Sequence, residues 1–410
     1  MVAWQAEVTW PLPDWKDKFA IVGIGETKYS RRSGVSATAL GLEACKKAVD
    51  DAGLSPKDID GFIEGWAGMG ASNEEIQNAF EMEHLVFSRG FGGGVSVIQG
   101  LQTAMALIAS GACTYVLVTV ATNGSSEFRA TNLATNAGVP MMMQGGDLAY
   151  MMGNWFSPFG MEGTSLWYTH VCRRYMHDFG LEHRHLGALA SAFRSHALLN
   201  DNALMKDKGP LSIEDYLNSP MLVDPFHRWC YSLQSDGGGA FIVTTAERAK
   251  ALKQSPVYIM GIGVSHPTKP NNIYTRREVW WGHKWAAPMA YKMAGVTPKD
   301  IEFAELYDGY IFVALIQIAP LGFATPEGAG PFCMPEENNI QLGGKIPVNT
   351  HGGLCSQAHI LGVNHVCEAV KQLRGQAGAA QVKHNGKNAE IGIVTGAGDL
   401  GDGGVAILRR

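Results

Sequence analysis

Apolar positions along this chain fall into two patterns, short unbroken runs and runs at helical spacing. Residues 19–25 (Phe-Ala-Ile-Val-Gly-Ile-Gly) form an unbroken run closed by glycine and predict a buried strand. Residues 37–52 carry apolar side chains at helical spacing and stop before Gly53, a predicted C-terminal cap. Ala52-Gly-Leu-Ser-Pro-Lys-Asp-Ile-Asp60 then reads as a helix stop followed by a Ser-Pro start. Residues 91–111 open on Gly92, Gly93 and Gly94 and continue almost without charge, which predicts a helix buried on every side.

Two phrases return later in the chain. Ala294-Gly-Val-Thr-Pro-Lys-Asp-Ile-Glu302 echoes residues 52–60, and Asp402-Gly-Gly-Val-Ala-Ile-Leu408 echoes Asp236-Gly-Gly-Gly-Ala-Phe-Ile-Val243. Echoes in the same order imply two copies of one α/β unit. The expected halves are 19–254 and 255–410, with Ser255-Pro256 as the hinge. The first half is longer because of an insertion at 123–224 with helical patches at 164–178 and 186–197. An insertion of that length is expected to be a lid or substrate-binding subdomain, the alternative being an extra structural layer. Residues 363–373 would be the counterpart of the first central helix. Two such helices would lie side by side with their N-termini at one cavity, favouring anions and developing oxyanions.

Composition narrows the class. With 410 residues, 46% of them apolar and 17% charged, the chain reads as a well-packed globular enzyme of more than one unit. A formal charge of -5 without a basic run excludes a nucleic-acid partner. The seven scattered cysteines, never in a C-x-x-C pair, predict reduced thiols, no zinc site and a cytoplasmic location. No apolar run reaches the roughly 18 residues of a membrane span, and the N-terminus does not read as a signal peptide.

The candidate chemistry gathers at residues 348–362, where Asn349, Gly352, Gly353, Cys355 and His359 precede a predicted helix. Glycines there let backbone N–H groups approach a ligand, with His359 at the mouth of the helix. His351 and His365 are expected to support the site or the core. Trp280-Trp281 and Met141-Met-Met143 are expected in core or interface.

The duplicated unit, the insertion, the glycine-led central helix and the Asn-x-x-Gly-Gly-(x)5-His-x-x-Gly loop resemble the thiolase superfamily. Further matches are Arg173-Arg-Tyr-Met-His-Asp-Phe-Gly180, Ser235-Asp-Gly-Gly-Gly-Ala240 and Ala304-Glu-Leu-Tyr-Asp-Gly-Tyr310. The branch most similar is that of the sterol-carrier-protein-x and lipid-transfer proteins. The resemblance implies a five-layered αβαβα fold. It also implies a nucleophilic cysteine at the N-terminus of the first central helix, where Gly94 stands here, and a second in the final glycine-rich hairpin around Gly398, also missing. His359 matches the family histidine, although Ala358 replaces the glycine before it, and Tyr307 takes the carbonyl-polarising position.

Without a thiolate, covalent acyl transfer is not available in its usual form. A histidine, a tyrosine and an oxyanion hole suffice for retro-aldol cleavage of a β-hydroxyacyl-CoA, as in the similar steroid side-chain aldolases, which have lost the cysteine. Those relatives are thought to use tyrosine at the position of His359, so the proton inventory differs here. Expected catalytic residues are His359, Tyr307, Asp308 and Cys355, Asp308 being an orienter or a turn residue and Cys355 a relocated nucleophile or plain packing. Gly93, Gly94, Asn349, Gly352, Gly353 and Gly398 are expected to bind substrate or CoA, and Arg173, Arg174 and Lys206 are candidates for its phosphates. No cofactor is expected beyond the CoA carried by the substrate. The rival expectations are a β-ketoacyl-CoA thiolase of unusual design and a non-catalytic acyl-CoA-binding subunit. The resemblance further implies a homodimer and a small zinc-ribbon/OB-fold companion protein.

Overall fold

The echoed phrases fold into the same structure twice. Helix α1 (Ala37–Ala52) starts on Ser36, whose side chain accepts from Ala39 N–H, and ends on Gly53 in the left-handed region at φ 72°. A Ser55-Pro turn follows, closed by a capping box with Asp58, and leads into a strand. In the second half a helix ending at Ala294 stops on Gly295 at φ 66°, and Thr297 and Asp300 repeat the capping box. Each segment therefore dictates its own stop, turn and restart by local hydrogen bonding.

The computed structural model describes residues 5–65, 76, 79–80, 87–90, 93–126, 157–160, 164–266, 282–398 and 401–410. Among these residues the main sheet has nine strands: β1 (Phe19–Glu26), β2 (Gly61–Glu64), β3 (Phe87–Gly90), β4 (Val116–Thr122), β5 (Gly237–Thr245), β6 (Val257–Ser265), β7 (Phe303–Glu305), β8 (Ile391–Ala397) and β9 (Gly403–Arg409). Their order is β3-β2-β4-β5-β1-β6-β9-β8-β7. Read outward from the middle, the first half runs first, last, fourth, second, third. The second half repeats that order, with Val348 bridging Ala304 in place of its third strand. The halves join where β1 and β6 pair antiparallel over Ala20–Tyr258 and Ile21–Val257.

Further helices include α2 (Ser96–Ala109), α3 (Thr164–Phe179), α4 (His183–Ala197), α5 (His283–Ala294), α6 (Ile311–Gln317), α7 (Gly353–Ser356) and α8 (Val363–Arg374). Helix α1 packs on β1, β4 and β5, and α5 on β6 and β9. Between the halves lie α2 and α8, each touching strands of both. The layers are thus helix, sheet, helix pair, sheet, helix. Alternation along β1 serves them: Phe19 and Ile21 join the core around α2 and α8, and Ala20 and Val22 face α1.

Glycine permits the close outer packing. A Cβ on Gly25 would stand 2.1 Å from Ala44 O, and one on Gly263 2.2 Å from Ala286 O. These belong to a third repeat, Ile21-Val-Gly-Ile-Gly25 and Ile259-Met-Gly-Ile-Gly263, which the sequence analysis missed. Arg374 at the end of α8 ties the halves: it donates to Asp51 Oδ2 at 2.7 Å, Val22 O at 2.9 Å and Ser255 O at 3.0 Å.

Within the 123–224 insertion, α3 and α4 pack with α6 in the core of the second half, together with Leu354 and Cys355 of α7. Met141-Met-Met143, Trp280-Trp281 and Gly92 lie outside the described residues.

Candidate active site

The chain leaves β7 through Leu306, Tyr307 and Asp308, at the carboxyl end of the strand. Asn349 fastens the loop 348–362 to this exit: its Oδ1 accepts from Leu306 N–H at 2.6 Å and its Nδ2 donates to Leu306 O at 2.9 Å. Asn349, placed among the ligand-binding candidates from sequence, thus spends its amide on the strand.

Tyr307 is braced at its backbone. Its N–H donates to Thr395 Oγ1 at 2.9 Å, its carbonyl accepts from Gln317 Nε2 at 2.8 Å, and Thr395 Oγ1 donates to Gln317 Oε1 at 2.5 Å. Both central helices meet its ring. A Cβ on Gly94, just before α2, would stand 2.4 Å from Tyr307 Cζ, 2.5 Å from its hydroxyl and 2.1 Å from Ala397 O. On the other side, a Cβ on Gly362, which caps α8, would stand 3.2 Å from Cδ2 of the ring. The phenol therefore fills the space a side chain at position 94 would need.

His359 faces the phenol, its Nε2 3.3 Å from the Tyr307 hydroxyl and its Nδ1 3.5 Å from Ser232 Oγ. Its backbone N–H donates to Ser235 Oγ at 3.0 Å. Desolvation pushes the imidazole pKa down, to about 4, with Asp308 acting in the opposite sense. His359 as a residue is partly exposed, which moderates that depression. A neutral histidine beside a phenol can accept a proton and pass it on.

Asp308 organises the loop. Its Oδ1 accepts from Leu354 N–H at 2.8 Å and its Oδ2 from Cys355 N–H at 3.0 Å. Gly353, at φ 64°, leaves room for this carboxylate, since a Cβ there would meet Asp308 Oδ2 at 2.3 Å. Gly352, at φ 105°, likewise admits Ala197 of α4. Cys355 is buried, with Sγ donating to Asp308 O at 3.2 Å. Burial, with the Asp308 charge adding to it, holds its thiol well above the ordinary cysteine range. Gly93, at φ 83°, has open space where a side chain would project. Gly398 sits in the last hairpin, its N–H donating to Asp402 O at 3.0 Å.

Behind the loop lies a buried polar row that sequence reasoning underrated. His365 Nε2 stands 3.2 Å from Asp308 Oδ1, His365 Nδ1 2.8 Å from His351 Nε2, and His351 Nδ1 2.9 Å from Glu305 Oε2. Glu305, His351 and His365 have the composition of a metal-ligand set. Two nitrogens on one zinc ion stand roughly 3 Å or more apart, given metal–nitrogen bonds near 2 Å. The two histidine nitrogens are closer than that, so the row is a chain of direct polar contacts, hydrogen-bonded between His365 and His351. Ser232, Ser235, Gln317 and Thr395 were also missed. Gln317 carried a signal, being the one polar side chain in the apolar helix α6.

The basic candidates stand on the surface beside carboxylates: Arg174 donates to Asp178 at 2.7 Å, and Arg173 and Lys206 pair with Asp224 and Asp201.

Residues 274–410 match the family described as thiolase C-terminal domain-like. The chain is 34% identical over 384 residues to a steroid side-chain-cleaving aldolase of Thermomonospora curvata, covering 92% of this chain and 95% of that protein. It is 33% identical over 388 residues to a 17-hydroxy-3-oxo-4-pregnene-20-carboxyl-CoA lyase of Mycobacterium tuberculosis, covering 93% and 98%. Among solved structures, the Ltp2-ChsH2(DUF35) aldolase superposes with a TM-score of 0.86 at 30% identity over 97% of this chain and 99% of that one. With its duplicated fold and its tyrosine at the place of the missing thiol, this chain belongs to the thiolase superfamily, in the branch that holds the steroid side-chain-cleaving aldolases.

Proposed function

We propose that this protein is a carbon–carbon lyase that cleaves a β-hydroxyacyl-CoA by retro-aldol chemistry. The observation that carries the reading is the Tyr307 hydroxyl, which occupies the space beside Gly94 at the mouth of α2 and lies 3.3 Å from His359 Nε2. In this mechanism neutral His359 takes the β-hydroxyl proton of the substrate. The Cα–Cβ electron pair moves into the thioester as an enolate while the β-carbon becomes a ketone or aldehyde carbonyl. The N–H groups at the mouths of α2 and α8 and the Tyr307 hydroxyl stabilise the enolate oxygen. Tyr307 then gives a proton to Cα and recovers one from His359, so the protein ends as it began and no free CoA is consumed.

Several observations support this reading over acyl transfer. Cys355 donates to a carbonyl and its thiol is held well above the ordinary range, the reverse of what a nucleophile needs. The relatives named above are an aldolase and a CoA lyase of steroid side chains. Beside Ser232, the rings of the partly exposed Tyr231 and Tyr310 stand 5.4 Å apart, with the fully buried Phe226 5.4 Å behind Tyr310, an aromatic pair suited to a flat apolar acyl group.

A homodimer and a zinc-ribbon/OB-fold companion that helps hold the CoA complete the proposal. The companion reading draws on the second component of the superposed Ltp2-ChsH2(DUF35) aldolase.

The decisive variant is Tyr307→Phe, which removes one oxygen and leaves the braced backbone. It is expected to fold like the wild type and to lose roughly 100-fold or more in kcat on a β-hydroxyacyl-CoA. Turnover within a few-fold of wild type would refute the assignment.

A further inference from the structure

Glu305, His351, His365 and Asp308 are each fully buried, and their side chains form one line. Glu305 sits at the end of β7, Asp308 three residues on, His351 in the loop and His365 in the first turn of α8. The reaction derived above uses none of them directly. Among the described residues, Glu305 Oε2, His351 Nδ1 and His365 Nε2 are buried without a hydrogen bond of good geometry, and the polar atoms against them are one another, at 2.9 Å between Glu305 and His351, and Asp308 Oδ1, at 3.2 Å from His365.

The arrangement of protons in such a line is constrained. Asp308 accepts from Leu354 and Cys355 N–H and faces His365 Nε2, so that nitrogen is the donor. One proton lies between His365 Nδ1 and His351 Nε2, and one between His351 Nδ1 and Glu305 Oε2. Two arrangements place the same three protons along these contacts. In the first, Glu305 is a neutral acid donating to His351, and His351 donates to His365. In the second, Glu305 is a carboxylate, His351 donates to it, and His365 is an imidazolium donating at both ends. They differ by two concerted hops, from Glu305 Oε2 to His351 Nδ1 and from His351 Nε2 to His365 Nδ1. No bond between heavy atoms changes.

We propose that these four side chains form a buried proton chain in which one positive charge moves between Glu305 and His365, toward Tyr307 as negative charge develops at the thioester. His365 is the end that matters for the reaction, because its ring meets Tyr307 edge-on with centroids 6.5 Å apart. The coupling to catalysis rests on the lyase reading above; the proton sharing does not. Glu305, His351 and His365 are positioning residues.

The surroundings act on Glu305 and His351 in opposite directions. Burial pushes the Glu305 carboxyl up to about 7, with His365 and the Thr350 hydroxyl and N–H pulling it down. Burial pushes His351 down to about 3, with His365 adding to the fall and Glu368, Asp308 and Glu26 opposing it. Lys371, the cation of this region, is paired with Glu26 and stands 4.0 Å from Glu368. Thr350 Oγ1 lies 2.7 Å from Glu305 Oε1 and 2.9 Å from Glu368 Oε1, so it steadies Glu305 in either state.

Glu305→Gln tests the chain. The glutamine carbonyl can still accept from Thr350 and its amide can donate to His351, but it cannot release a proton, which locks the first arrangement. Nitrogen NMR of the full chain with labelled histidines, across roughly pH 5 to 8, reads the tautomers directly. The wild type is expected to show His351 averaging between its neutral Nε2–H and Nδ1–H tautomers and His365 averaging between neutral and doubly protonated signals. Glu305→Gln is expected to hold both as neutral Nε2–H tautomers throughout. In turnover of a β-hydroxyacyl-CoA, the variant is expected to lose roughly tenfold in kcat with KM nearly unchanged, less than the loss of a proton carrier itself. Wild-type histidines fixed in one tautomer over the whole range overturn the proposal, even if the variant fails to fold. If the wild type turns over no such substrate, the lyase reading falls while the NMR result stands alone.

Discussion

Gly94 and Tyr307 are one exchange written at two positions. Acyl transfer needs a thiol at the mouth of α2; here the side chain there is removed and a phenol from β7 fills the gap. Gly94→Ala is therefore expected to lose both stability and turnover, because its Cβ meets a backbone carbonyl as well as the ring. Thermal melting and kcat should fall together, by several degrees and at least tenfold, since a displaced phenol leaves His359 without its partner. Wild-type melting and rate in that variant would mean that the site is open and the phenol elsewhere. Cys355→Ala is expected to keep turnover within a few-fold, as the thiol only packs and donates to a carbonyl. Loss of activity in a folded Cys355→Ala protein would bring the thiolase reading back. The Gly94–Tyr307 contact was not legible in the sequence, because the two residues lie in different halves. The absence of cysteine at 94 was legible; what replaced it was not.

Helix stops, capping turns and glycine-fed strands are written locally, so the duplication could be read from echoed phrases before any contact was known. The Gly-x-Gly repeats of β1 and β6 were equally readable and went unseen. Less legible were functions assigned by residue type. Gly352 and Gly353 suggested ligand approach, yet a side chain at either would meet Ala197 or Asp308. Asn349 suggested a ligand contact, yet its amide completes the edge of β7. Such roles depend on what packs from elsewhere in the chain. Arg374 shows the same dependence at the end of α8, where its buried guanidinium reaches Asp51, Val22 and Ser255. Arg374→Met should cost about 2 kcal/mol, since it leaves the buried Val22 carbonyl without this donor and the partly exposed Asp51 without its partner. Denaturant unfolding checks it, and a loss under ~0.5 kcal/mol would show that the halves do not depend on this tie.

For the whole molecule, buried neutral histidines set the acid limit. Desolvation pushes His196 and His283 down to about 4 and His351 to about 3, against about 6.5 in an unfolded chain. Below pH ~6.5 the unfolded state binds more protons at these sites, so their contribution to stability falls as pH drops toward 4. Glu305 and Glu368, raised by burial, act in the opposite sense: they favour the fold at low pH and lose that effect as pH rises. Three histidines outweigh two carboxyls, and melting temperature should fall steadily from pH 7 to pH 5. A flat or rising profile would mean that the histidines are charged in the fold. Among the described residues, no helix is long and apolar enough to cross a membrane. The dimer and the companion protein are tested by light scattering and by rate with and without the added companion.

The most direct measurement is product analysis with the purified protein, any companion it needs, a β-hydroxyacyl-CoA and no free CoA. The account predicts a ketone or aldehyde and a shortened acyl-CoA in equal amounts, with an unchanged rate when free CoA is added. Cleavage that begins only on addition of CoA would contradict it and make the enzyme a thiolase.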